Sequence, residues 1–437
     1  MLSVAGAPVT SDLTAEIPQS AYIHIPFCRR RCYYCDFPIT VVGDRPPVRP
    51  ANGAASPLNG SNSGTISQYV EVLCTEIELT EPLGAPLETV FFGGGTPSLL
   101  SVEQLEQILA QLQHQFGLTR QAEISMEIDP GTFDRAQLQG YRAAGINRVS
   151  LGVQAFQPEL LSLCGRSHTV AEVYQAIDWV RQVGFTNISL DLISGLPQQT
   201  LADWQASLER AIALEPTHLS CYDLTVEPQT AFSRRYQPGL APLPSDDTTA
   251  AMYRLASQQL RAAGYQHYEI SNYAQPGYQC RHNRVYWENR PFYGFGMGAT
   301  SYLQGERLAR PRKTREYYAW VQQQQQLGQR PTPANCLITD RSDRLLDSLM
   351  LGLRLAEGIN LADLIHQFGW ETVQRIWNCL RPYANQGWIM VRDGQGDSQL
   401  LPALLPASGQ LHLTDPEGFL FSNVILVRLF QEFAAHS

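Results

Sequence analysis

A chain of 437 residues is long enough for about two or three domains, and 44% hydrophobic against 17% charged residues supplies the core of an ordinary globular protein. A net charge of −9 speaks against a phosphate backbone as partner, so no nucleic acid is expected. Lys313 is the only lysine, which excludes a Walker A site and leaves Schiff-base chemistry one candidate nucleophile.

Residues 1–20 carry Asp12 and Glu16 and lack both a basic start and an apolar run; they read as a flexible tail, not a signal peptide. No apolar run reaches the ~18 residues of a membrane span, so a cytoplasmic protein without a transmembrane segment is expected. The first strand, "AYIHI" from Ala21, leads into "PFCRRRCYYCDF", which sets Cys28, Cys32 and Cys35 within eight residues. Three readings compete. Unconnected buried thiols are the plainest, but Arg29, Arg30 and Arg31 alongside are expected to lower thiol pKa values and favour metal ligation. A structural zinc site would need a fourth ligand, His24 or Asp36. A [4Fe–4S] cluster on three cysteines would leave one iron open for another ligand.

From about Pro46 to Thr65 the chain is rich in Pro, Gly, Asn, Ser and Ala and reads as a disordered surface insertion, 46–65. The second strand, "ETVFFG" from Glu88, runs into "GGGTPS", where Gly94, Gly95 and Thr96 let backbone approach a ligand. No GK[ST] follows, so it is no P-loop; a plain tight turn is the alternative. Further strands are "EISMEID" from Glu123, "RVSLGVQ" from Arg148, "NISLDLISG" from Asn187 and "HLSCYDL" from His218. Between them Ser101 with Gln104, and Thr200 with Asp203, cap amphipathic helices whose inward residues include Leu105, Leu109, Leu201, Trp204 and Ile212. Repeated β–helix–β units imply a parallel sheet. Six strands suit a partial (β/α)6 barrel over 21–240, with its site at the C-terminal strand ends. Glu127, Gln154 and Asp191 stand at such ends, and Arg166 follows the fourth strand.

A connecting region, 241–334, holds "CRHNRVYWENRPFYGFGMGATSYL" from Cys280. His282, Tyr286 and Trp287 make a His–aromatic cluster whose plainest reading is a core histidine hydrogen-bonded in an aromatic-rich loop. "QQQQQ" from Gln322 reads as solvated helix surface before a linker. Residues 335–437 show three helix patterns, the short strands "WIMV" and "LHLT", and a helix from Glu417. That order suggests a winged-helix-like α+β domain, but seven arginines, no lysine and eleven carboxylates make an interaction or lid domain the better reading than a DNA binder. The six scattered cysteines read as small buried hydrophobes in a reducing compartment.

Taken together, the C-x₃-C-x₂-C loop after the first strand resembles the radical S-adenosylmethionine superfamily. "YIHIPFC", "GGGTPS", "EIDP", "GVQAF", "GRSH" and "DLISGLP" stand in the order of the family formed by oxygen-independent coproporphyrinogen III dehydrogenase and its HemW-type relatives. The resemblance implies a [4Fe–4S] cluster on Cys28, Cys32 and Cys35 whose fourth iron is chelated by S-adenosylmethionine. It implies contacts to that cofactor from Tyr22, Tyr34, Gly94, Gly95, Thr96, Glu127, Gln154, Arg166 and Asp191. Two departures favour the HemW branch. Phe37 stands where the dehydrogenases usually have a further cysteine, and only 27 residues precede Cys28. "HNRVYW" looks like the HemW haem-binding signature, with His282 as the candidate iron ligand. The expectation is therefore a haem chaperone that passes haem to apoproteins, with coproporphyrinogen III decarboxylation as the alternative. Oligomeric state is not legible, and a homodimer stays open.

Overall fold

All six expected strands form, and they pair in chain order. The structure, a computed structural model, describes residues 17–43, 64–327, 336–338, 341–393, 398–399 and 405–434. Strands β1 (Ser20–Ile25), β2 (Leu87–Gly94), β3 (Leu118–Ile128), β4 (Arg148–Gln154), β5 (Asn187–Ser194) and β6 (His218–Asp223) lie side by side, every neighbouring pair parallel. Their apolar runs make sense there. A strand covered on both faces buries nearly all its residues, as β4 does, where only Gln154 is partly exposed.

Three further strands extend this sheet: β7 (Gln266–Glu269), β8 (Asn272–Ala274) and β9 (Tyr293–Phe295). The order is β9-β1-β2-β3-β4-β5-β6-β8-β7, with β9 parallel to β1 and the β7–β8 hairpin antiparallel to β6. The stretch 241–334 thus builds both edges of the barrel sheet as well as connecting. This is the partial (β/α)6 barrel with extended margins.

The helices that pack on it are α1 (Gly64–Leu79), α2 (Val102–Gln115), α3 (Arg135–Ala144), α4 (Pro158–Leu163), α5 (Val170–Val183), α6 (Leu201–Ala213) and α7 (Asp246–Ala262). Ser101 and Thr200 form complete capping boxes with Gln104 and Asp203, as their spacing predicts. Leu201 departs from expectation. As the first residue of α6 it stays 40% exposed, while Trp204 and Leu208 turn inward. Gly64 and Thr65, assigned to the insertion from sequence, open α1; 46–63 lie outside the described residues, as do 1–16 of the tail.

The C-terminal region has its own core of Leu349, Leu361, Trp377, Ile389, Leu411 and Leu429. Helices Arg341–Gly352, Leu361–Phe368, Trp370–Asn385 and Ser422–Phe433 surround a small antiparallel sheet centred on Ile389–Asp393 and Gly409–Leu413, the winged-helix-like arrangement expected. It docks through polar pairs. Asp415 accepts from Ser257 (2.9 Å) and pairs with His267 (2.8 Å), and Glu417 pairs bidentately with Arg254 (2.7 and 2.8 Å). Among the described residues no helix is long and apolar enough to cross a membrane. Cys164, Cys221, Cys280 and Cys379 are buried thiols and Cys74 a half-buried one.

Candidate functional site

The cysteine loop leaves β1 and is tied down at both ends. Phe27–Cys28 pairs in parallel with Thr40–Val41, and Arg31 donates to the carbonyls of Cys35 (3.2 Å) and Phe37 (3.1 Å). Cys28, Cys32 and Cys35 are partly buried free thiols on this one loop. Polar groups lie against two of them: the Thr96 hydroxyl, 3.6 Å from Cys28 Sγ, has one proton to share between that sulfur and Asp129, and Arg166 Nη1 donates to Cys32 Sγ (3.5 Å). Such donors suit anionic sulfur, which is what a cluster ligand becomes.

The expected lowering of thiol pKa by Arg29–Arg31 is not what the structure shows. Burial pushes the Cys28 thiol up to about 12 and raises Cys35 as well. The arginines spend their charge elsewhere: Arg31 on loop carbonyls, Arg29 on the Gly131 carbonyl at 2.7 Å. Ligation must therefore displace the thiol protons. Among the described residues no three His, Cys, Asp or Glu side chains converge as ligands of one metal ion. A zinc site needs that convergence, whereas a four-iron cluster takes each thiolate on its own iron. The local zinc option His24 is also occupied, Nδ1 by the Tyr22 hydroxyl (3.1 Å) and Nε2 by the Pro38 carbonyl (2.9 Å).

Beside the loop, the strand ends carry a charged network. Asp129, just past β3, forms an ion pair with Arg166 and accepts from Thr96 Oγ1 at 3.2 Å. Arg166 also donates to the Gly152 carbonyl (2.9 Å). A Cβ on Gly152 would stand 2.6 Å from Asp129 Oδ1, so glycine is what admits the pair. Glu127 accepts from the Gly94 N–H at 3.1 Å. Burial, with Asp191 adding to it, pushes the Glu127 carboxyl up to about 8. Asp191 is not at its strand's end. It lies in the middle of β5, one layer deeper, accepting from Ser150 (3.0 and 3.1 Å) and Ser189 (3.4 Å). Gln154 does end β4, in left-handed backbone (φ 67°) at a bulge after Gly152. Tyr22 stacks on Phe91, and Tyr34 lies against Phe232 on the cysteine loop's flank. The strand ends thus gather carboxylates, a guanidinium and amide groups next to three thiols. That mixture suits a cationic nucleoside with a carboxylate of its own.

The glycine loop is tight for a reason other than the one expected. Gly95 N–H donates to the Ile25 carbonyl and Thr96 N–H to the Phe27 carbonyl (2.8 and 2.7 Å). A Cβ on Gly95 would stand 2.8 Å from both oxygens. Its missing side chain accommodates the backbone that leads into the cysteine loop.

Comparison with known proteins bears on this arrangement directly. Residues 22–211 match the radical SAM superfamily and residues 339–395 the HemN C-terminal domain. A protein of Synechocystis sp. named heme chaperone HemW is 47% identical over 95% of this chain and 97% of its own length. The chain belongs to the HemW family of radical SAM proteins. Another heme chaperone HemW, from Lactococcus lactis, is 34% identical over 80% of this chain and 85% of its own. In fold, the chain matches the coproporphyrinogen III oxidase HemN of Escherichia coli, a radical SAM enzyme, with a TM-score of 0.75 at 24% identity, covering 95% and 90% of the two chains.

His282 is placed as the hydrogen-bonded core histidine that is one of its two sequence readings. The residue lies in α8 (Arg281–Trp287) and is fully buried. Its Nδ1 meets Thr89 Oγ1 (2.7 Å), its Nε2 meets the Tyr286 hydroxyl (2.9 Å), and its ring stacks on Phe91. Burial and Arg148 push its pKa down to about 3. Both nitrogens are engaged, so in this conformation His282 is a core histidine with no lone pair to offer iron. Trp287 sits under the Arg354 guanidinium, 4.3 Å from the ring centre, joining α8 to the C-terminal region. Asp129 and Gly152 escaped the sequence reading as site residues, although "EIDP" and "LGVQ" contained them. Nothing local marks a carboxylate whose partner is 37 residues away.

Proposed function

We propose that this chain holds a [4Fe–4S] cluster on Cys28, Cys32 and Cys35, binds S-adenosylmethionine across the adjoining strand ends, and carries haem to haem-accepting apoproteins. The observation that carries the reading is the nearly full-length match to relatives named heme chaperone HemW. Phe37 supports it, since no further cysteine follows the third within the loop. When bound, the cluster and its nucleoside supply one-electron chemistry. The protein's residues hold and orient. Arg166 stabilises sulfur charge, while Glu127 and Gln154 offer the amino and ribose groups their acceptors, with Asp191 one layer behind them. Tyr22, Tyr34, Gly94 and Gly95 shape the enclosure. A cytoplasmic location belongs to the same proposal, because free thiols persist in a reducing compartment.

The test uses full-length protein and its Cys28→Ala/Cys32→Ala/Cys35→Ala variant, both reconstituted anaerobically with iron and sulfide and then titrated with haem. The wild type is expected to bind a four-iron complement and to show a saturable Soret band. The variant should lose the iron and keep the haem. Full iron in the triple variant would overturn the cluster, and non-saturable haem uptake by the wild type would overturn the chaperone.

A further inference from the structure

The last two thiols of the cysteine loop are set by a turn. The Cys35 N–H donates to the Cys32 carbonyl at 3.3 Å, which leaves Tyr33 and Tyr34 as the two residues between them. Tyr34 is one of the residues that the resemblance assigns to S-adenosylmethionine. Tyr33 is the one that fastens the turn to the barrel. Its N–H donates to the Cys164 carbonyl (3.0 Å), just past α4, and its carbonyl accepts from the Phe232 N–H (2.9 Å), in the stretch after β6. A Cβ on Gly165 would stand 3.1 Å from the Tyr33 ring, so that glycine is the ring's seat. The Arg235 guanidinium covers the ring at 4.7 Å from its centre, and Phe232 stands beside it at 6.4 Å. Phe232 is itself fully buried, in a small cluster with Cys164, Leu161 and Leu196 against which both tyrosines pack.

We infer that Tyr33 is a positioning residue for the iron–sulfur cluster, holding Cys32 and Cys35 in place before any iron arrives; this rests on the cluster reading above. A loop free to move loses the conformational entropy of each residue that a bound cluster orders. The grip on Tyr33 from the end of α4 and from the stretch after β6 fixes the turn from both flanks, so folding of the barrel has already ordered it. Any residue offers the backbone amide and carbonyl of that grip. Only an aromatic ring offers a flat face to Gly165 on one side and to a guanidinium on the other. Arg235 is exposed, which makes the cation–π contact the weaker of the two and the seat on Gly165 the stronger. Iron leaves a cluster when a thiolate swings away from it, and a turn tethered on both sides swings less. The contacts run through the backbone and the ring, so phenylalanine keeps them and an aliphatic side chain of similar bulk does not.

The experiment reconstitutes full-length wild type, Tyr33→Phe, Tyr33→Leu and Arg235→Gln anaerobically with iron and sulfide. Cluster absorption is then followed as an added ferrous chelator removes the iron, and electron paramagnetic resonance spectra are recorded of the reduced clusters, with circular dichroism as the check of the fold. Tyr33→Phe should match the wild type in release rate and spectrum. Tyr33→Leu should release iron roughly tenfold faster and give a broadened resonance. Arg235→Gln should release it faster than the wild type and more slowly than Tyr33→Leu. Release from Tyr33→Leu at the wild-type rate overturns the inference while leaving the cluster reading intact, and so does a Tyr33→Phe that behaves as Tyr33→Leu. If Tyr33→Leu loses its native circular dichroism, Arg235→Gln decides alone, and release from it at the wild-type rate overturns the inference. A wild type that takes up no iron removes the cluster reading itself.

Discussion

At the residue scale, Glu127 shows what the site costs when it is empty. Its carboxyl stays protonated at neutral pH because burial and Asp191 outweigh the Gly94 hydrogen bond. The sign follows from linkage. A carboxyl whose folded pKa is about 8 holds its proton more tightly folded than unfolded, where the value is roughly 4.3. Its stabilising contribution is complete below the unfolded value and is lost as pH rises towards 8. Glu127→Gln removes that loss. In cofactor-free protein, the melting temperature of the variant relative to wild type should rise between pH 5 and pH 8; a constant or falling difference would contradict the assignment. A bound ammonium group would reverse the balance by favouring the carboxylate. Glu127 and the cysteines were legible in the sequence because their motifs are contiguous. The Asp129–Arg166 pair was not, since only folding brings those residues together. The arginine triplet misled because burial of the thiols, invisible in one dimension, outweighs neighbouring charge.

Among the elements, the strand ends and the loop after β2 are mechanically one unit. The carbonyls of Ile25 and Phe27 accept from Gly95 and Thr96, and Thr96 in turn reaches Cys28 and Asp129. Gly95→Ala places a Cβ against both carbonyls, an overpacking that typically costs about 1–3 kcal/mol. The expected outcome is a lower melting temperature together with weaker S-adenosylmethionine binding by calorimetry. Lost binding at an unchanged melting temperature would mean that the glycine serves the ligand alone. The six parallel strands and two of the capping boxes were readable because the strand stretches of five to nine residues and the S/T-x-x-E/Q/D spacings are strong local signals. Strands β7, β8 and β9 were not. Each has only three or four residues, too few for a period, and owes its conformation to an edge strand already in place.

For the whole molecule, α8 is the connecting piece. The backbone N–H groups of Arg281 and His282 donate to Glu123 on β3 (both 3.2 Å), His282 locks onto Thr89 of β2, and Trp287 packs under Arg354. Arg354 also pairs with Glu269 of β7 at 3.2 Å. The helix that carries the haem-type motif is thereby fixed to the barrel, its hairpin edge and the C-terminal region at once, with Tyr286 facing a cavity beside the cysteine loop. Two cores are joined by polar pairs, Asp415–His267 and Glu417–Arg254 among them, and the ligand proposed for the whole is haem. The central claim is that this ligand is carried and not converted. Anaerobically reconstituted full-length protein, supplied with reductant, S-adenosylmethionine and coproporphyrinogen III, is followed by chromatography of the porphyrins while a parallel sample is titrated with haem. Unchanged coproporphyrinogen alongside saturable haem binding is the predicted result; accumulation of protoporphyrinogen would contradict it and make the chain a dehydrogenase.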